Sequence, residues 1–357
     1  MTRWSDDYVL VQDDAVDALW RERGGLELVR LYILGDGFDP RVPTALEHYL
    51  DVSPPGTTLM RFGLRPSPLP TDESESVAKN RAFVAQAAAA AGAVIEEVAY
   101  PAVEDAKSAG RVAMRELFRQ RRFEGVDEIV VDVSGLPLDV YFAIVRDLLR
   151  GRADGHWSGD LFVVACENPQ LDAAIVHEGS EDVAFLHGFA APTHAEAGPR
   201  VWIPLLGEGR ADEIRGVFEE VAPMEICPVL PSPSSNPRRS DDMILELREL
   251  LFEELRVDER NFIYASEWNP FDLFRSLQQL HGRYASSLKP LGPVAFTISA
   301  HSSKLLSLGA LLAAYEHGFG VVHATPTGYY LRQGTDIAAL RTGDRILCAW
   351  VDGTPYE

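Results

Sequence analysis

Residues 293–316 read PVAFTISAHSSKLLSLGALLAAYE, and residues 127–149 read DEIVVDVSGLPLDVYFAIVRDLL. Each opens with an apolar run of strand length, turns through a few residues, and continues with apolar residues at helical spacing. Strand, short turn and helix in that order form the unit of a parallel sheet covered by helices on both faces. The pattern around the two stretches also recurs. FVVACENP (162–169) sits over GVVHATP (320–326), GRVAMRELFRQ (110–120) over FRSLQQLHGRY (274–284), and LYILGDGFDPR (31–41) over CPVLPSPSSNPRR (227–239). Identities are few, so the repeat is one of pattern. The chain is expected to be α/β, with two Rossmann-like parallel sheets related as an internal pseudo-repeat.

Working outward, residues 1–25 form a polar preamble with one short helix, and 26–175 the first Rossmann-like half. Residues 176–222, rich in Gly and Pro, read as a connecting segment. Residues 223–330 form the second half, and 331–357 a tail in which YYLR and RILCAWV pair around TGD (342–344). A length of 357 residues suits two domains and a sizeable core without staples.

Thirty-three Lys and Arg stand against 54 Asp and Glu, a net charge of −21. Duplex nucleic acid needs a basic footprint, so it is excluded as a partner, while one small anionic ligand in a local pocket is not. No apolar run reaches the ~18 residues of a membrane span, and MTRWSDDYVLVQDD lacks the features of a signal peptide. No membrane partner is expected. Three scattered cysteines, Cys166, Cys227 and Cys348, form neither a disulfide framework nor a zinc motif. The expected compartment is the reducing cytoplasm. His187 and His194 are close in sequence, but no Cys or carboxylate at ligand spacing accompanies them, so no metal is expected. G-x-x-x-x-G-K-[ST], G-x-S-x-G and H-E-x-x-H are absent, and no cofactor is expected.

Ligands of open parallel sheets bind outside the carboxyl ends of the strands, which makes every loop after a strand a candidate. After the first strand comes Gly35-Asp36-Gly37-Phe38-Asp39-Pro40-Arg41. Gly35 and Gly37 permit close approach of a ligand to backbone N–H groups, while the loop reads first as a tight turn with Asp39 or Asp36 capping the helix. Ser299-Ala300-His301-Ser302-Ser303-Lys304 opens a helix, where hydroxyls and free N–H donors meet. Lys304 stands there against the helix dipole, as an anion partner or simply facing water. Asn236, Arg238 and Arg239 offer a guanidinium fork for phosphate or carboxylate, or pair with Asp241, Asp242 or Glu246. In Ser266-Glu267-Trp268-Asn269-Pro270-Phe271, the aromatics stack on a base while Glu267 or Asn269 reads its edge, or else Asn269 caps a helix over core aromatics. Ser134, in SGLP (134–137), is the first-half partner of the 299–304 loop. Lys304, Arg238 and Arg239 are expected to converge on one cleft.

The block TISAHSSKLLSLGALLAAYEHG (297–318) resembles the signature loop of CRISPR-associated Rossmann fold domains. Ser302-Ser303-Lys304 stands where those domains carry Gly-Thr-Lys, and Gly309, Ala310, Ala313 and Ala314 match their small-residue helix. The Gly pair of that loop is absent. Two such halves in one chain are similar to the SAVED sensor domains of anti-phage systems. The resemblance implies a nucleotide-binding or nucleotide-sensing module, taking a cyclic oligonucleotide. After the two halves only about 30 residues remain, below the size of a nuclease or protease domain, so the output is expected to pass to a separate effector protein. Two other readings stand beside this one. The first is an enzyme hydrolysing or transferring a nucleotide-derived group, with His301 or Glu267 in acid–base roles. The second is an interaction scaffold without ligand.

Overall fold

The computed structural model describes residues 3–52, 56–64, 71–100, 109–120, 122–178, 182–190, 198–325, 328–332 and 334–357. The chain begins with β1 (Val9–Gln12), α1 (Asp14–Gly24), β2 (Arg30–Gly35), α2 (Val42–Val52), β3 (Thr58–Leu64), α3 (Thr71–Ala91) and β4 (Val94–Tyr100). Next are α4 (Ala109–Gln120), β5 (Glu128–Asp132), α5 (Leu138–Ala153), β6 (Asp160–Glu167), α6 (Pro169–Ala174), β7 (Ile175–Glu178) and β8 (Asp182–Phe185). Then come β9 (Arg200–Leu205), α7 (Ala211–Val221), β10 (Glu225–Ile226), β11 (Val229–Pro231), α8 (Arg239–Glu246) and β12 (Ile263–Ala265). Last are α9 (Pro270–Ser287), β13 (Ala295–Ala300), α10 (Lys304–His317), β14 (Gly320–Thr325), β15 (Gly328–Leu331), α11 (Ile337–Arg341) and β16 (Arg345–Asp352).

Two compact units result. The first is Asp6–Val176 with Tyr330–Glu357, and the second is Met1–Ser5 with His177–Tyr329. Among the described residues the first unit's sheet runs β1-β16-β6-β5-β2-β3-β4. Strands β2 to β6 are parallel, while β16 is antiparallel to both β6 and β1. The second unit's sheet runs β12-β11-β9-β13-β14-β8, with β10 also on β9. Among the described residues β8 alone is antiparallel there. Counted along the chain, the parallel strands of both sheets follow one order, 3-2-1-4-5 with β10 set aside. The internal pseudo-repeat is therefore one of topology. Strands β2 and β13, with helices on both faces, are buried along their whole length. Trp20, Tyr32, Leu46, Tyr49 and Phe162 lie in the first unit's core, and Trp202, Ile214, Met243, Leu251 and Val322 in the second's.

Three expectations need correction. Residues 176–222 are not only a connection: they hold β9, the central strand of the second sheet, and α7. Pro204 hid the strand, because proline lacks the ladder donor and normally marks an edge. Arg200 and Trp202 accept from Met224 and Cys227, and Leu206 donates to Val229, so alternate residues face that side. Pro204 shares the parity and turns its missing N–H to the break between β10 and β11. The counterpart of β2 is accordingly β9 and not the CPVL strand, which is the second of its sheet. The tail forms no hairpin around 342–344 either. β15 pairs with β7, α11 intervenes, and β16 enters the first sheet between β6 and β1. Its apolar run ILCAW (346–350) is paired on both sides, with β6 and with β1, which a hairpin cannot supply.

Candidate functional site

In the 3-2-1-4-5 order the crevice for ligands opens between strands 1 and 4, where successive crossovers leave to opposite faces. In the second unit that place is the end of β9 and β13. A Cβ added to Gly207, just past β9, would collide with the carbonyl of His301, just past β13. Likewise, a Cβ on Gly35 at the end of β2 would collide with the carbonyl of Gly135 after β5. The same close approach of two loops recurs in both units.

Around this point in the second unit, His301 bridges two partners. Its Nδ1 lies 3.3 Å from Glu213 Oε2 and its Nε2 3.0 Å from Ser299 Oγ. Ser299 Oγ also accepts from the Trp202 indole at 3.0 Å. Because a carboxylate only accepts, Nδ1 carries a proton; in the neutral ring the Ser299 hydroxyl donates to Nε2, and in the imidazolium Nε2 donates to Ser299 Oγ. Glu213 is held by Arg210 at 2.7 Å as well. Burial opposes its ionisation, but the His301 hydrogen bond and the Arg210 charge prevail and hold its carboxyl down to about 2. Ser299 is wholly buried, which rules its hydroxyl out as a nucleophile for any outside substrate.

Ser303 caps α10, accepting from Leu306 N at 3.3 Å. Ser302 Oγ, one residue earlier, is buried without a hydrogen-bond partner. Lys304 is the half-buried first residue of the helix. His323 on β14 follows Val322, the pairing partner of Ser299, and so stands at the same sheet edge. Its residue is 9% exposed and its Nδ1 has no hydrogen-bond partner. Burial pushes it down to about 4, with the positive neighbours His301, Arg210 and Lys304 adding to the effect and Glu213 opposing it.

Arg239 lies elsewhere in this edge and is already committed. It forks onto Glu208 at 2.7 and 2.9 Å and pairs with buried Glu267, which also accepts from Ser235 N at 2.8 Å. The loops after β9, β11 and β12 are thereby tied together, and Glu267 has no open face for acid–base work. Arg238 points outward, 77% exposed, with Asp242 at 3.8 Å, while Asn236 accepts from the Arg238 N–H in its turn. The three cations expected in one cleft therefore divide into one spent on carboxylates, one in solvent, and Lys304 at the crevice. Asn269 caps α9, accepting from Phe271 N at 3.0 Å, and Phe271 is core.

The first unit's candidates are tied to each other. Asp36 accepts from Arg81 at 2.7 Å, and Asn80 donates to the Gly37 and Asp39 carbonyls at 2.8 and 2.9 Å. Arg41 is buried between Asp39 at 2.7 Å and Asp172 at 2.8 Å. Ser134 donates its N–H to Asp132 and accepts from Cys166 N at 2.8 Å. Gly35 and Gly37 are approached by Gly135, not left bare for a ligand. The first-strand loop is thus a packed, ion-paired turn.

A cavity of about 620 Å³ in the first unit was not foreseen. Asp13, Asp14, Asp17, His48, Arg341 and Asp344 are among its walls. Its walls come from both ends of the chain, so no local pattern announces it. Among the described residues no group of His, Cys, Asp or Glu could hold a metal ion, and His194 lies outside them. No described helix is long and apolar enough to cross a membrane.

No family model matches the chain, and no curated protein does. Solved structures matched to the chain include a putative universal stress protein from Pseudomonas aeruginosa UCBPP-PA14, at 11% identity and TM-score 0.25, over 84% of this chain and 94% of that one. Another is the cytoplasmic domain of a prokaryotic cation chloride cotransporter, at 12% identity and TM-score 0.25, over 88% and 99%. Fructose-bisphosphate aldolase from Campylobacter jejuni follows, at 10% identity and TM-score 0.16, over 85% and 72%. Likenesses this slight assign no ligand or activity to this chain.

Proposed function

We propose that the chain is a binding or sensing module for a small anionic ligand of the nucleotide class, held at the carboxyl edge of β9 and β13 over the start of α10. The observation that carries this reading is the buried, unpartnered hydroxyl of Ser302 in the turn ahead of a 14-residue helix. A helix start offers unpaired N–H groups and a positive field, and Lys304 adds a full charge beside them. The finer reading is a sensor for a cyclic oligonucleotide, passing its state to a separate effector. It rests on the resemblance of residues 297–318 to CRISPR-associated Rossmann fold domains.

Calorimetry with ATP, mononucleotides and cyclic oligonucleotides of increasing ring size tests it. Binding is expected for at least one, weakened tenfold or more by Ser302→Ala combined with Lys304→Ala. Absence of heat and of any thermal shift with every compound overturns it.

A second reading draws on His301, whose ring lies between a carboxylate and a hydroxyl. Both ring nitrogens are engaged and the side chain is buried, so His301 serves as a general base, in an enzyme hydrolysing or transferring a nucleotide-derived group, only when substrate entry frees one of them. Mass spectrometry of the same compounds after incubation separates the two. Product that disappears with His301→Ala favours the enzyme.

A further inference from the structure

We propose that the cavity of about 620 Å³ in the first unit is a binding site for a basic amino acid, a small molecule that joins organic cations to one carboxylate. The inference is independent of the nucleotide reading above, which concerns the other unit. All the walls belong to one unit, and the volume is that of small-molecule sites, roughly 300–1,000 Å³. Arg345 of β16 pairs with Glu167, the last residue of β6, so Asp344 and Ile346 stand at the carboxyl edge of the sheet, where ligands of this architecture bind. Of the acidic walls, two are already answered. Asp13 accepts from Arg345 at 2.8 Å and from the Ile346 N–H at 3.1 Å, and Asp344 accepts from Asn168 at 2.7 Å, with Arg341 Nε at 3.4 Å. Asp14 and Asp17 are not. They lie three residues apart on one face of the first turn of α1. His48 Nδ1 stands 2.9 Å from Asp17, and a neutral imidazole donates a hydrogen bond there but no charge. Asp14 has no ion pair or hydrogen bond among the described residues. A helix start supplies about half a positive charge, which two carboxylates exceed. The other walls hold the opposite surplus. Thr44 is nine-tenths buried, and its hydroxyl oxygen accepts from Arg341 Nη2 at 3.0 Å, while its own proton reaches no acceptor among the described residues. Arg341 Nη1 is likewise without a partner there. A buried O–H and a guanidinium N–H left over on one side call for an acceptor, and two carboxylates left over on α1 call for a cation. Among the described residues no group of His, Cys, Asp or Glu could hold a metal ion, so the cation that fits is organic.

Titration calorimetry of the whole chain with L-arginine, L-lysine, agmatine and L-citrulline tests the assignment. It is run at about 0.15 M salt, where long-range attraction of any cation to a chain of net charge −21 is screened. At least one of the two basic amino acids is expected to bind. Agmatine, which lacks the carboxylate, and citrulline, which lacks the side-chain charge, are each expected to bind about tenfold more weakly or worse, the size of one charge-assisted hydrogen bond. Asp14→Asn combined with Asp17→Asn should cost a similar factor. Thr44→Val should weaken binding, and Thr44→Ser, which keeps the hydroxyl, should restore it. Absence of heat with both basic amino acids overturns the proposal, as does citrulline or agmatine binding as tightly as they do. Binding that the α1 double variant leaves unchanged overturns it as well, and that test does not depend on the buried Thr44, because Asp14 is exposed and its replacement leaves the core untouched.

Discussion

Arg239 shows how much a single side chain does at the carboxyl edge of the second sheet. It joins Glu208 to Glu267, and Glu267 is only 2% exposed. Removing the guanidinium leaves a buried carboxylate without its counter-charge, a loss of about 3–5 kcal/mol for such pairs. Arg239→Leu is expected to lose that much in urea unfolding, with Arg239→Lys intermediate because an ammonium cannot fork. His323 makes a second prediction. Burial holds it down to about 4, against about 6.5 when unfolded. Between those values the unfolded chain binds a proton that the native one refuses, so stability falls as pH drops through the window. The loss by pH 4 is roughly 3 kcal/mol, from the size of the shift. Melting curves from pH 7 to pH 4 should show this slope, and His323→Leu should reduce it, leaving the part owed to His317, which burial also holds down to about 4.

Among the elements, α9 and α10 touch through Gly309. A Cβ there would meet the Pro270 carbonyl and stand 3.1 Å from Leu273 Cβ. The first unit repeats the contact, with Gly110 on α4 against Asp139 and Ala143 of α5. Gly309→Ala gains about 1 kcal/mol of helix propensity but forces the helices apart at about 1–3 kcal/mol. A net loss in denaturant midpoint is expected, and a gain would show that the helix pair is not close-packed. The same elements mark what was legible in the chain. The apolar runs of β13 and β14 and the Asn269-Pro270 helix start are local signals, and each stands where the pattern placed it. β9 was hidden by Pro204, whose tolerance depends on a gap in a neighbouring strand. Glu213 lies 88 residues from His301, and Glu208 lies 31 from Arg239, so neither partner was visible. Local rules see a side chain's own turn, and ion pairs are made by the topology.

For the molecule as a whole, the three cysteines report on integrity. All are buried, and burial pushes Cys166 and Cys348 far above the usual thiol range and Cys227 up to about 11. A thiol attacks as its thiolate, so all three should ignore Ellman's reagent in the native protein and react together in denaturant. Fast reaction of any one without denaturant would reveal local opening. The nesting of the two units bears on how the protein is made. β6 and β1 both wait for β16, which is synthesised some 180 residues after β6 and after every strand of the second sheet. At a few residues per second, about 5–20, the ribosome keeps β6 without its outer neighbour for roughly ten seconds or more. The second unit is therefore free to complete itself on the ribosome while the first holds an unfilled slot, and a transcript broken before codon 345 yields a chain with a sticky, chaperone-dependent seam.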